Sequence, residues 1–293
     1  MPLLINIFMK KSKKILFIVM TILIVIAIAI ICILLGYFSP MTVIPKGKQN
    51  FCYVNGHIVL ESNYIFDTGA DISVLYEKEG LSIPVAVTLM RDIHKNKRCR
   101  FLYFVNKKSL FQNEINHFVC LMDSGFYRPD KSVKGIIGMN VIQRANWHFS
   151  FLDSTVEVFS RRASYTIPSK ALCFKYNNRL IPCSSIDIES EHYKQILIDM
   201  GYSLEFLLDE NNISQIQKCC LVEPRQELIT GLLGHQQVDV FQYDTLSING
   251  NHYSNVRIDG GKRNLIGLGF MRRFDHLFWD SRHKKVYLWN EEK

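Results

Sequence analysis

Acidic charge is missing from the start of the chain: residues 1–40 contain no Asp or Glu, while Lys10, Lys11, Lys13 and Lys14 cluster there. Glycine and proline are scarce, 16 and 8 in 293 residues, which excludes collagen-like and proline-rich filaments. No C-x-x-C and no H-E-x-x-H occurs, and the nine His show no ligand spacing. A metal site therefore has little support, and no cofactor is expected. A basic stripe interleaved with aromatics, the pattern that grips a phosphate backbone, is also lacking. The net charge of +8 overstates the case for nucleic acid, because 35 − 4 = 31 basic residues face 27 acidic ones beyond the Lys cluster. What is present is 48% hydrophobic against 21% charged residues, enough to bury cores and too apolar for a disordered polymer.

The longest apolar run is Ile15 to Leu35, with Thr21 as its one polar group. As a helix it reaches ~31 Å, the thickness of the bilayer hydrocarbon core. A cleaved signal peptide is the rival reading, but its apolar stretch is usually ~7–15 residues and ends in a small-residue site. Here the run leads into Gly36-Tyr37-Phe38-Ser39-Pro40 with no A-x-A pattern. The reading is a short basic cytoplasmic tail over 1–14, a transmembrane helix over 15–38 and a linker over 39–50. The Lys cluster keeps the N-terminus cytoplasmic, so the rest of the chain is expected outside the cytoplasmic membrane: periplasmic, extracellular or lumenal. Seven of the eight Cys lie beyond the span. Cys173 and Cys183 flank a hairpin-like FKYNNRLIP and are candidates to pair; the alternative is small buried hydrophobes.

After the linker, short alternating or wholly apolar runs are bounded by Asn, Gly and Asp, and strand signals dominate. Helical turns are expected near Gln143-Arg144 and Met271-Arg272-Arg273, and a longer helical piece over 205–219. A fixed internal offset is the most informative feature. IFDTG (65–69) is matched by LIDMG (197–201), the aspartates 199 − 67 = 132 apart. GIIGMNVIQR (135–144) is matched by NLIGLGFMRR (264–273), the glycines 267 − 138 = 129 apart. Between them, SLFQNEINHFV and TLSINGNHYSNV each lead into an Asp-x-Gly, and aromatic-rich hairpin patterns follow each second motif. Three ordered matches at near-constant spacing read as two homologous lobes, 51–160 and 171–293, joined by a linker over 161–170.

Phe66-Asp67-Thr68-Gly69-Ala70 followed by Gly135-Ile136-Ile137-Gly138 resembles the aspartic peptidases, and among them the retropepsin-like branch. Asp123-Ser124-Gly125 also fits the short motif, but it runs into a polar, Pro-containing loop and reads as a turn. The resemblance implies a mainly all-β, bilobal peptidase fold, two retropepsin-sized lobes fused in one chain. It implies Asp67 and Asp199 as the catalytic pair, with Thr68, Gly69, Met200 and Gly201 supporting the loops. Ile137, Gly138, Ile266 and Gly267 would form the apolar-Gly segments beneath them. Flap hairpins would fall near 85–104 and around Gly231-Leu232-Leu233-Gly234-His235.

The physical rationale stands beside the resemblance. Two carboxylates ~3 Å apart cannot both ionise comfortably and share a proton. The ionised partner takes a proton from water while the protonated one polarises a peptide carbonyl, and the proton belongs to the pair rather than to either residue. The expected function is a membrane-anchored aspartic endopeptidase acting on polypeptides, held in the lipid bilayer through residues 15–38, with no nucleic-acid partner and active as a monomer. The family has Thr or Ser where Met200 stands, whose hydroxyl braces the two loops. The alternative function is therefore a catalytically weakened or inactive peptide-binding or sensor module.

Overall fold

The computed structural model describes residues 2–38, 48–77, 81–91, 97–106, 117–122, 128–219, 222–231 and 234–291. The molecule is mainly β behind one apolar N-terminal helix, α1 (Pro2–Phe38). Its window Lys14–Cys32 has mean hydropathy 3.5 and none of it is buried against the rest of the chain. Ile and Val are indifferent helix formers in water, but in hydrocarbon a segment must satisfy its own backbone groups, which a helix does. The helix is long and apolar enough to cross a membrane; an anchor and a signal sequence share that property.

The first half of the body contains β1 (Lys48–Val54), β2 (His57–Leu60), β3 (Tyr64–Phe66), β4 (Ser73–Leu75), β5 (Leu81–Arg91), β6 (Lys97–Asn106), β7 (His117–Met122), β8 (Gly135–Ile137), the short α2 (Met139–Ile142), β9 (Ala145–Ser150) and β10 (Thr155–Ser160). The second half contains β11 (Leu172–Lys175), β12 (Cys183–Ile188), β13 (Glu191–Asp199), β14 (Phe206–Asp209), α3 (Glu210–Cys219), β15 (Arg225–Gly231), β16 (Gly234–Ile248), β17 (Asn251–Gly261), β18 (Leu265–Gly267), the short α4 (Leu268–Met271), β19 (His276–Asp280) and β20 (Lys285–Trp289).

The same local topology recurs in each half. β3, which ends at the residue before Asp67, runs parallel to β8, with Phe66 opposite Ile137. β8 is antiparallel to β4, and β4 is parallel to β7. In the second half β13 runs parallel to β18 with Asp199 opposite Gly267, β18 is antiparallel to β14, and β14 is parallel to β17. The central strands are apolar throughout, YIF and GII being buried at every position, as strands covered on both faces must be. Long hairpins, β5–β6 and β15–β16, extend from each half.

The halves are joined by a continuous platform in the order β11-β20-β19-β9-β10-β1. Its central seam pairs β9 with β19, Trp147 opposite Trp279 and Phe149 opposite Leu277. Both tryptophans are fully buried. The main core is continuous across the seam and includes Phe66, Ile137, Ile198, Met200, Ile266 and Trp279. Smaller apolar clusters sit under each hairpin.

Two expectations are corrected. The helical piece over 205–219 is a strand followed by a helix: Phe206–Asp209 form β14, and α3 begins at Glu210. The apolar Phe206-Leu207-Leu208 is buried in the sheet, and Asp209 accepts the Asn212 N–H at 3.0 Å, starting the helix one turn later than expected. Cys173 and Cys183 are free thiols. They are not arms of one hairpin, because β11 pairs with β20 in the platform while β12 pairs with β13 in the second half. Asp123, the turn between the first-half flap strands (92–96) and the tip of the second (232–233) lie outside the described residues.

Candidate active site

Asp67 and Asp199 emerge side by side from the ends of β3 and β13, at the floor of a cleft of about 360 Å³ lined by both halves. Their side chains hydrogen-bond to each other. Each carboxylate is also held by its own loop. Asp67 Oδ1 accepts N–H bonds from Gly69 at 2.8 Å and Ala70 at 3.1 Å, and Asp199 Oδ1 accepts one from Gly201 at 2.9 Å.

The glycines are required by close approach across the axis. A Cβ on Gly69 would lie 2.3 Å from the Asp199 Cγ, and one on Gly201 would lie 2.3 Å from the Asp67 Cγ. No side chain fits either place.

Thr68 is fully buried. Its hydroxyl donates to the Ile198 carbonyl at 2.8 Å and accepts from the Met200 N–H at 2.8 Å. One threonine thus grips the backbone on both sides of Asp199. Met200, which lacks a hydroxyl, is fully buried and packs in the shared core. Beneath the loops, Asp67 N–H donates to the Ile137 carbonyl at 3.0 Å, and Gly138 N–H donates to the Ser73 hydroxyl at 3.0 Å. Ile266 and Gly267 take the matching places beside Ile198 and Asp199.

Burial pushes the Asp67 carboxyl up to about 8, helped by the Asp199 charge and opposed by the Gly69 and Ala70 N–H groups. Burial raises Asp199 as well, against its hydrogen bond to Asp67, the Gly201 and Tyr202 N–H groups and the Arg263 charge. Two carboxyls in contact in a poorly solvated place hold one proton between them over a wide pH range.

Several residues around the pair have roles that the motifs do not assign, although Asn140 lies within GIIGMNVIQR and Asp259 opens an Asp-x-Gly. His57 lines the cleft beside Asp67. Tyr202 donates its hydroxyl to Asp259 at 2.5 Å, and Arg257 Nε donates to the same fully buried carboxylate at 2.8 Å. Arg257 also pairs with Glu227 of the β15–β16 hairpin at 2.8 Å, tying that hairpin to the cleft wall. Asn140, fully buried, accepts from the Ser73 N–H at 2.8 Å and donates to the Val119 carbonyl at 2.6 Å, so it locks β4 to β7 behind the Asp67 loop. The i, i+2 spacing of Arg257 and Asp259 on one strand was the available signal for the ion pair. The Tyr202 contact joins residues 57 apart, with no sequence signal. Among the described residues no group of three His, Cys, Asp or Glu is placed to hold a metal ion.

No family model matches the chain, and no curated protein matches it. Among solved structures it is similar to a retropepsin-like aspartic protease from Rickettsia conorii, with 12% identity and a TM-score of 0.31 over 43% of this chain and 95% of that one.

Proposed function

We propose that this chain is an aspartic-type endopeptidase of retropepsin-like build, with two duplicated lobes in one polypeptide behind a membrane anchor. The observation that carries this reading is the carboxyl pair, Asp67 and Asp199, in mutual hydrogen-bonding contact at the floor of an open cleft. The raised affinity of that pair for a single proton suits an acid and a base acting together. The ionised carboxylate takes a proton from a water lodged between the two. The water oxygen attacks the peptide carbonyl carbon while the protonated carboxyl donates a hydrogen bond to the carbonyl oxygen. The tetrahedral species then breaks its C–N bond as the nitrogen receives a proton from the pair. No covalent intermediate forms on the protein.

Both carboxylates belong to one chain, so the catalytic unit is a monomer and its substrate is a polypeptide laid across the cleft. With the Lys cluster inside, the peptidase body faces the outer side of the cytoplasmic membrane. The second reading, a weakened or inactive peptide-binding module, is favoured by Met200, which removes one hydroxyl from the inter-loop brace. The Thr68 bridge to both Ile198 and Met200 weighs for the enzyme. The deciding experiment is cleavage of an unfolded protein by the full chain in detergent. Activity blocked by a statine-type transition-state mimic and lowered roughly 10²–10⁴-fold in Asp67→Asn and Asp199→Asn is expected. Peptide binding without cleavage refutes the enzyme and leaves the binding module.

A further inference from the structure

The β5–β6 hairpin of the first half has apolar side chains on both faces. In its register Ala86 pairs with Leu102, Val87 with Phe101 and Leu89 with Cys99, and alternate positions along a strand face opposite ways. One face, with Ala86, Met90, Leu102 and Phe104, packs on the apolar cluster beneath the hairpin. The other carries Val87, Leu89 and Phe101, which are 62%, 49% and 59% exposed, with Cys99 exposed beside them. A sheet covered on one face normally turns polar side chains to water on the other. Three neighbouring large apolar groups left outside mark a contact surface. That surface is not part of the cleft, which is lined by Glu227, Leu228 and Ile229 of the second hairpin and by no described residue of β5 or β6.

The two hairpins also differ in charge. Residues 81–106 hold Arg91, Lys95, Lys97, Arg98 and Arg100 against Asp92 (5 − 1 = +4), whereas residues 225–248 hold Arg225 against Glu227, Asp239 and Asp244 (1 − 3 = −2). The anchor decides what this basic, apolar hairpin meets. α1 ends at Phe38 and β1 begins at Lys48, so whatever its conformation the intervening chain reaches no more than about 35 Å. A globular body of the length that follows is about 45 Å across. The body is therefore held against the lipid surface, and α1 approaches it on this same half, at β6 and β7.

We propose that the exposed face of the β5–β6 hairpin is a membrane-docking surface. It seats Val87, Leu89 and Phe101 at the headgroup–acyl boundary of an anionic bilayer, while the positive charge of residues 91–100 is drawn to the lipid phosphates. Apolar burial and basic charge reinforce each other in such contacts. The placement rests on the anchor reading; the peptidase reading is not needed.

The test uses the full chain in vesicles of phosphatidylcholine, with or without phosphatidylglycerol, carrying bromine on the upper acyl chain or none. Phe101→Trp supplies the probe, and the wild type, with Trp147 and Trp279 fully buried, supplies the baseline. In anionic vesicles bromine quenches the added fluorescence and acrylamide in the water does not. Adding Lys97→Glu and Arg98→Glu lowers the docked-to-free ratio at least roughly 25-fold, at about fivefold per basic residue lost, so quenching falls to the level of the neutral vesicles. Quenching by acrylamide alone, as for a free face, overturns the proposal. Quenching by neither, as for a face covered by a second copy or by another part of this chain, overturns it too, as does a charge-reversed variant quenched like Phe101→Trp alone. Should Phe101→Trp not fold, Leu89→Trp reports from the same face. Flotation separates docking from anchoring. A chain that stays with neutral vesicles in high salt but shows no bromine quenching in anionic ones keeps the anchor and loses the docking face. A chain that leaves neutral vesicles yet binds anionic ones and is quenched there loses the anchor and keeps the face.

Discussion

Replacing Thr68 by Val keeps the shape of a fully buried side chain and removes only its hydroxyl. Two backbone groups of the opposite half then lose their partner: the Ile198 carbonyl and the Met200 N–H, both now at 2.8 Å from Oγ1. Water cannot replace it, since Thr68 and Met200 are fully buried. A buried polar group left without a partner costs ~1–3 kcal/mol, so the pair of losses comes to about 3 kcal/mol after modest relaxation. For a body of this size that is a fall in Tm of roughly 6–12 °C. Thr68→Ser keeps both bonds and loses one methyl, so its cost is about 1 kcal/mol. The assay is thermal unfolding of the full chain in detergent, followed by near-ultraviolet circular dichroism. The reasoning is refuted if Val melts with the wild type, or if Ser falls as far as Val, because the bridge would then contribute nothing through its oxygen.

Further expectations concern pH and the membrane. Cleavage should fall as pH rises through about 8, where the pair loses its shared proton; a rate that stays flat to pH 10 contradicts the raised affinity. The same shift makes the pair a source of stability that is fully present below the ordinary carboxylate pKa and lost as pH rises through about 8, and Asp67→Asn should remove that slope. His148, held down to about 4 by burial, then by His276 and Lys48, stabilises the fold above its ordinary value of 6.5 and loses that contribution as pH falls through about 4. His148→Phe should therefore flatten the acid limb of a melting-temperature profile. A chain retaining residues 1–38 should stay with membranes through an alkaline carbonate wash, whereas a cleaved signal sequence would leave a soluble product starting beyond residue 38.

The legible part of the molecule was the part that repeats. Asp67 and Asp199 could be matched because two loops that meet on an axis need the same small backbone-hugging glycine after each acid, and that need leaves a fixed offset in the chain. The apolar runs before them read as strands because a strand covered on both faces has no polar side. Residues 205–219 were misread because Phe206-Leu207-Leu208, an apolar run, passes into α3 with no Gly or Pro between. The Cys173–Cys183 pairing failed because ten residues of separation do not tell which sheet each strand joins. Met200 was correctly seen to lack a hydroxyl, but the two-sided grip of Thr68 is a matter of angles rather than of residue type. The Tyr202–Asp259 contact joins segments distant in sequence, and nothing in one sequence marks such a pair.

The seam between β9 and β19 also has a consequence for the order of events at the ribosome. The first half is synthesised whole by residue 160, carrying one acid and a finished edge at β9. The partner strand for that edge, residues 276–280, and its support β20, ending at Trp289, emerge more than a hundred residues later. Until residues 276–289 are made the halves have no platform to align them, so Asp67 and Asp199 are not yet held together.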